Sequence, residues 1–318
     1  MTLEDLRATA ERLRAEIAQT VQGQDAVIEL MLVALATRGH VLLEGPPGTA
    51  KTPLARSFAA AVDLEYGRIQ FTPDLMPGDV IGANIFDFRA SEFRLIKGPC
   101  FTDVLLADEI NRAPPKTQAA LLQAMSERVA TIDGTDHALG ADFFVIATQN
   151  PIEQQGTYPL PEAQLNRFLF KIDVSFPAEE VELSILQAHA ARPLDSAARL
   201  AELTAVLDRQ ALGSARELID TIRLDDDILR YVLALVRATR NEPEIAYGAS
   251  TRAADALSGA VRATAALDGR DYAIPDDVKR LFLPAMRHRI VLGPTAEIEG
   301  RRPDDVLANI LDQVEAPR

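Results

Sequence analysis

Gly45-Pro-Pro-Gly-Thr-Ala-Lys-Thr52 is the stretch on which the reading of this 318-residue chain turns. It follows His40-Val-Leu-Leu-Glu44, a short apolar run that predicts a buried strand, and leads into Pro53–Val62, which predicts a helix. A strand, a small-residue loop and Lys-Thr at a helix start are the setting of a phosphate-binding loop. Gly45, Pro46, Pro47, Gly48, Thr49 and Ala50 would wrap phosphates with the loop's backbone N–H groups, helped by the positive end of the helix. Lys51 would reach the β- and γ-phosphates, and the Thr52 hydroxyl would sit on Mg²⁺. Pro53 fits the first helical turn, where an N–H has no intrahelical partner to lose. Ala50 stands where the strict pattern has glycine. A Gly/Pro turn that happens to end in Lys-Thr is the competing reading of the octamer alone.

Outward from the octamer, the periodicities predict an α/β region followed by a helical one. Residues 2–19 carry Leu3, Leu6, Ala10, Leu13 and Ile17 at helical spacing, with Thr2 and Asp5 placed as a capping box. A second helix runs from Asp25 to Thr37. Further strands are expected at 68–71, 102–107, 143–148 and 169–174, with a helix at 116–128. Two alternating segments, 84–89 with 92–97 and 129–139 turning at Asp133-Gly134, predict inserted β-hairpins. Strands alternating with helices imply a mostly parallel sheet covered on both faces. Past Pro177 the strand signal stops, and 178–190, 196–209, 225–240, 250–267 and 275–289 read as helices, punctuated by Pro193, Pro243, Pro275 and Pro284. The expected division is an α/β nucleotide-binding core over 1–176 and an all-α region over 177–318.

A second block, Val104-Leu-Leu-Ala-Asp108-Glu109, is an apolar strand ending in two carboxylates at the sheet edge where α/β proteins bind ligands. Asp108 is placed to hold Mg²⁺ and Glu109 to act as general base on water. A strand ending in solvated acids is the alternative for either residue alone. Asn150, at the end of the next strand, could hold the γ-phosphate and orient water, or form a plain Asn-Pro turn. Arg167 and Arg252 offer cations suited to phosphate, because the guanidinium fork binds bidentately and stays charged. Each alone is more often a surface salt-bridge partner.

Composition narrows the class. Apolar residues at 47% and charged residues at 25% are ordinary for a globular chain, and the formal charge of −14 argues against a nucleic-acid partner. No apolar run approaches the roughly 20 residues of a membrane span. The charged, amphipathic N-terminus does not read as a signal peptide, and lone Cys100 fits a reducing compartment. A cytoplasmic protein is expected.

Taken together, three longer blocks resemble the MoxR family of AAA+ ATPases. They are Leu43–Thr52, Leu105–Leu122 (LLADEINRAPPKTQAALL) and Ala147–Phe168 (ATQNPIEQQGTYPLPEAQLNRF), supported by Gly248-Ala-Ser-Thr-Arg252. Alanine before the lysine is usual in that family. Thr251 stands where proline is common, and Asn166 where aspartate is common. The resemblance implies a sheet of order 5-1-4-3-2 with a C-terminal helical lid, and ATP bound between them with Val21 and Gly23 near the adenine. It implies Asn150 as sensor 1, Arg167 as the finger that completes a neighbouring subunit's site, and Arg252 as sensor 2, acting on its own site or an adjacent one. It further implies a homo-oligomeric ring, most commonly a hexamer. The expected activity is Mg²⁺-dependent ATP hydrolysis driving chaperone-like remodelling in protein or metal-centre maturation, with a von Willebrand factor A domain partner. A magnesium-chelatase-type motor subunit, a nucleotide-dependent assembly switch and a DNA motor are the competing classes. Phe86, Phe88, Phe93 and Leu95 of the first hairpin are expected to pack against a neighbouring domain more than to meet a client.

Overall fold

The computed structural model describes residues 1–151, 156–191 and 196–317. Residues 152–155 of the third block, and Pro193, lie outside that description. In chain order the strands begin with β1 (Val41–Glu44), β2 (Tyr66–Gln70), the hairpin β3 (Gly82–Asp87) and β4 (Glu92–Lys97), and β5 (Val104–Asp108). A second hairpin, β6 (Val129–Ile132) and β7 (Thr135–Ala138), precedes β8 (Phe144–Gln149) and β9 (Phe170–Asp173). Five of them form one sheet in the order β2-β5-β8-β1-β9, and every neighbouring pair is parallel. Counting only these five along the chain gives the expected 5-1-4-3-2.

Side chains alternate between the two faces of a strand, and the core divides accordingly. Val41, Leu43, Val104, Leu106, Phe144 and Ile146 join one apolar cluster, while Leu42, Leu105, Ala107, Val145 and Ala147 join the other. The first face is covered by the helices Asp25–Ala36 and Lys51–Ala61, and its cluster continues through Leu3–Ala18 into the C-terminal helices. The helix Pro115–Glu127 covers the second. Register then sets the functional edge. Glu44 is level with Gln149 and Asp173, and Gln70 with Asp108, so the motif-bearing ends of all five strands share one rim.

Thr2 caps Leu3–Ala18 in the expected box: its hydroxyl accepts from the Asp5 N–H, and Asp5 accepts from the Thr2 N–H. Both hairpins form, the second on its expected strands and the first with its leading strand at Gly82–Asp87, so that Phe88 and Arg89 lie in the turn. One helix differs. The span expected at 196–209 is instead Ser196–Ala201 and Arg209–Asp220. Between them, the Val206 N–H donates to the Ala61 carbonyl across the fold, and Asp208 starts a new helix by accepting from the Ala211 N–H. The C-terminal region is helical with one small addition, an antiparallel ladder of β10 (Ile245–Tyr247) and β11 (Val291–Leu292). Two helices not read from the periodicity, Pro294–Ile298 and Pro303–Gln313, each begin on a first-turn proline.

Charged ties hold the C-terminal region to the sheet. Arg216 is buried, pairs with Asp142 and donates to the Leu35 carbonyl, while Arg209 bridges Asp103 and Asp142. Arg287 joins Asp173 to Asp304.

Candidate functional site

The octamer leaves β1 through a glycine that nothing can replace: a Cβ on Gly45 would lie 2.2 Å from the Val174 carbonyl oxygen. Gly48 takes φ +86°, and Ala50 takes φ 59° at the N-cap of Lys51–Ala61. A left-handed L-residue costs roughly 1–2 kcal/mol, which is the physical reason glycine is the default there. The Lys51 ammonium donates to the carbonyls of Gly45 and Pro46, both at 2.7 Å, and to the Thr49 hydroxyl at 3.3 Å. Desolvation lowers its pKa, opposed by the charges of Asp108 and Glu109. The lysine is therefore held over its own loop and faces the carboxylates of β5.

Asp108 is buried and fully engaged. One oxygen accepts from the Thr148 hydroxyl at 2.6 Å; the other accepts from Arg68 at 2.7 Å and from the Thr52 hydroxyl at 3.2 Å. Glu109 turns sharply out of β5 with φ 55°, a strained setting for a non-glycine residue that clusters at functional sites. Its N–H donates to Thr148, and its carboxylate accepts from Gln70 at 2.7 Å and Arg112 at 2.9 Å. Asn150, buried at the end of β8, lies beside Asn111, whose amide donates to its carbonyl at 3.4 Å. Residues 47–53, Asp108, Glu109, Asn150, Arg68 and Gln70 line one cleft of about 520 Å³. Thr52 and Asp108 set a hydroxyl and a carboxylate oxygen side by side. Among the described residues no group of three or more His, Cys, Asp or Glu could form a closed metal cage. A small oxygen donor set suits Mg²⁺, which draws its remaining ligands from water and phosphate. The residues fit that ion.

Arg68, Gln70, Arg112 and Thr148 escaped the sequence reading. Gln70 faces Glu109 only because β2 lies next to β5 with Gln70 level with Asp108. The signal, a polar residue ending a short strand, becomes visible only once the sheet order is known.

Val21 and Gly23 line neither the cleft around Lys51 nor the one beside Gly45 and Pro46. Val21 is buried in the core; Gly23 sits against Val181 and Pro177; the intervening contact runs from the Thr20 hydroxyl to Ser57 on the loop's helix. A cleft of about 420 Å³ opens between Gly45, Pro46 and Val174 on one side and Arg287, Arg302 and Pro303 on the other. This is the core–lid junction next to the loop.

Arg167 and Arg252 do not join the phosphate cleft. They line a separate one of about 760 Å³, together with Arg38, Arg128, Arg262 and Arg289. Arg167 Nε donates to the Ser126 hydroxyl at 2.7 Å. Asp255 is the sole carboxylate residue lining this cleft, and none of the six arginines forms an ion pair among the described residues.

The first hairpin keeps its aromatics outside. Phe88 is 87% and Phe93 72% exposed, and Phe86 stacks edge-on against both, with ring centroids 5.2 and 5.3 Å apart. The expected packing against a neighbouring domain does not occur within this chain for these rings. Asn84 instead ties this hairpin to the second through Asp133 at 2.9 Å.

Comparison with known proteins agrees with this geometry. Residues 40–170 match the family described as "ATPase family associated with various cellular activities (AAA)", and 237–310 match the AAA lid domain. The chain is 41% identical to Chaperone MoxR1 of Mycobacterium tuberculosis, over 98% of this chain and 83% of that protein. It is 33% identical to Protein MoxR of Methylorubrum extorquens, over 99% and 97%. A crystal structure of a putative ATPase from Cytophaga hutchinsonii superposes with a TM-score of 0.89 at 37% identity, covering 98% of this chain and 96% of that one.

Proposed function

Because the chain belongs to the MoxR family of AAA+ ATPases, we propose that it works as a homo-oligomeric ring, hexameric by family habit, whose ATP sites are each completed by a neighbouring subunit. The observation that carries this reading is the separation of Arg167 and Arg252 from the phosphate cleft of their own chain. Cations suited to phosphate, set on another face and making no ion pair among the described residues, serve best where a second copy presents its nucleotide.

The work at the site is positioning and electrostatics. Residues 45–52 would cradle the phosphates of ATP, with Lys51 turning its ammonium from the loop carbonyls to phosphate oxygens. Thr52 and Asp108 would hold Mg²⁺, which when bound adds positive charge beside those oxygens. Glu109 would accept the proton of the attacking water, and Asn150 would orient that water. Arg167 of the neighbour would face the charge that builds on the γ-phosphate, with Arg252 as a second cation from the same face. Val21 and Gly23 would border the adenine behind the loop. We keep 1–176 as the nucleotide-binding core and 177–318 as the lid.

Chaperone-like remodelling in protein or metal-centre maturation, a von Willebrand factor A domain partner and a cytoplasmic setting are proposed from the family likeness. The exposed aromatics of β3–β4 give a client an apolar place to bind. Among the described residues no helix is long and apolar enough to cross a membrane.

A second reading, a nucleotide-dependent switch with little turnover, is favoured by one observation. The carboxylates of Asp108 and Glu109 are already engaged by Arg68, Gln70 and Arg112. Steady-state ATPase activity of wild type and Glu109→Gln, measured against protein concentration, separates the two. Specific activity that rises with concentration, with the variant binding ATP but not hydrolysing it, supports the ring enzyme. A wild type that binds ATP and scarcely hydrolyses it at any concentration supports the switch.

A further inference from the structure

His288 and Arg289 follow the helix Pro275–Met286 and belong to no motif read from the sequence. Both reach one atom, the backbone carbonyl oxygen of Phe168. His288 Nε2 donates to it at 3.0 Å and Arg289 Nη2 at 2.9 Å. Phe168 is the residue directly after Arg167, so the C-terminal region grips the chain one step from the proposed finger. The finger's side chain is anchored separately, by Ser126.

The chemistry of both donors is unusual for a merely structural contact. Donation to a carbonyl requires His288 to carry its proton on Nε2, which leaves Nδ1 bare, and Nδ1 is buried without a partner. Burial holds this imidazole well below the ordinary histidine range, so it stays a neutral donor at physiological pH. Arg289 lines the same cleft as Arg167 and Arg252, and its Nη1 is buried with no hydrogen-bond partner. No carboxylate pairs with it among the described residues. Burial first, then the charge of Arg252, push its pKa down to about 10, which still leaves it protonated at neutral pH. A desolvated cation without a counter-charge is costly. If packing alone were needed here, a methionine of similar length would avoid that cost.

We propose that Arg289, together with His288, is a positioning residue for Arg167: the two hydrogen bonds on the Phe168 carbonyl fix the loop that presents the finger and couple it to the C-terminal region. Movement of the lid in one subunit then moves the arginine offered to the next. The inference rests on the assignment of Arg167 to the neighbour's site.

Arg289→Met, Arg167→Ala and the double variant test it, each assayed for oligomeric state, ATP affinity and kcat. Arg289→Met is expected to assemble and bind ATP as wild type does, with kcat lowered by on the order of 10- to 10²-fold, the scale of a small misplacement of a reacting group. The double variant is expected to be no slower than Arg167→Ala alone. Wild-type kcat in Arg289→Met, a loss of ATP affinity in place of kcat, or multiplying losses in the double variant would overturn the proposal. A second pair keeps the test open should Arg289→Met fail to fold. His288→Leu removes a donor, and His288→Gln restores an amide donor near the Nε2 position; the glutamine variant is expected to recover most of the kcat that leucine loses. Equal kcat in the pair would overturn the latch. A wild-type rate in Arg167→Ala would instead remove the finger assignment beneath it.

Discussion

Two sets of arginines in this molecule are treated in opposite ways. Arg209, Arg216, Arg270, Arg280, Arg287 and Arg301 each have a carboxylate partner, several of them partly or fully buried. In the cleft beside the 251–267 helix, Arg38, Arg128, Arg167, Arg252, Arg262 and Arg289 gather around a single carboxylate residue and make no ion pair among the described residues. A chain with a formal charge of −14 has acids to spare. Arg128 and Arg289 are spent on backbone carbonyls; in the proposed ring, Arg167 and Arg252 are the two left for an anion on a neighbouring subunit. In that proposal the cleft around Lys51 is the complementary half: its lysine, carboxylates, hydroxyls and amide are assembled, but neither Arg167 nor Arg252 reaches it. Each face holds what the other lacks.

The largest effect that could break this comparison lies in the unpaired set. Arg167→Ala should leave ATP affinity near wild type and lower kcat by on the order of 10³-fold or more, the range for an arginine finger; steady-state and binding assays on one preparation check it. The paired set should answer in stability instead. Asp142→Ala strands buried Arg216 and should cost about 3–5 kcal/mol in denaturant unfolding. Equal losses of kcat at constant fold in both sets would erase the contrast.

A smaller effect probes the wall between the regions. His40 lines the arginine cleft, accepts from the Val145 N–H on Nδ1 and donates through Nε2 to the Met125 carbonyl. Burial lowers its pKa to about 4 from an ordinary 6.5. As pH falls the unfolded chain takes the proton first, so this contribution is intact above about pH 6.5 and is lost on the way down to pH 4. Linkage gives about 2 kcal/mol lost between pH 7 and 5. Unfolding free energies across that range should show the slope, and His40→Gln should flatten it. The smallest effect is at the loop. Ala50→Gly relieves a left-handed alanine but adds chain entropy, so stability should move by less than about 1 kcal/mol, as thermal melts can check.

What was legible in the sequence follows the range of the interactions. The octamer, Asp108-Glu109 and the two hairpins are local patterns, and each formed where it was read, the first hairpin's leading strand aside. Gln70 and Arg68 were not legible, because their role depends on which strand lies beside β2. Residues 202–208 read as helix because their apolar spacing allows it, yet a backbone bond from Val206 to Ala61 takes them out of helical pairing. The ladder of β10 and β11 is too short to carry a period of two. Arg167 and Arg252 were legible as residues but not as a pair in one cleft, since the C-terminal helices that bring Arg252 there are placed by tertiary packing. His288 and Arg289 carry no motif at all, and their partner is a backbone oxygen distant in the chain.

In the proposed ring, one subunit's arginines serve another subunit's nucleotide. Mixing Lys51→Ala subunits, which lack the phosphate lysine but keep Arg167, with Arg167→Ala subunits, which have the reverse, tests it most directly. Each variant alone should be nearly inactive, and the mixture should hydrolyse ATP well above either parent. A mixture no more active than its parents, with co-assembly verified, would contradict completion in trans and return Arg167 to its own chain.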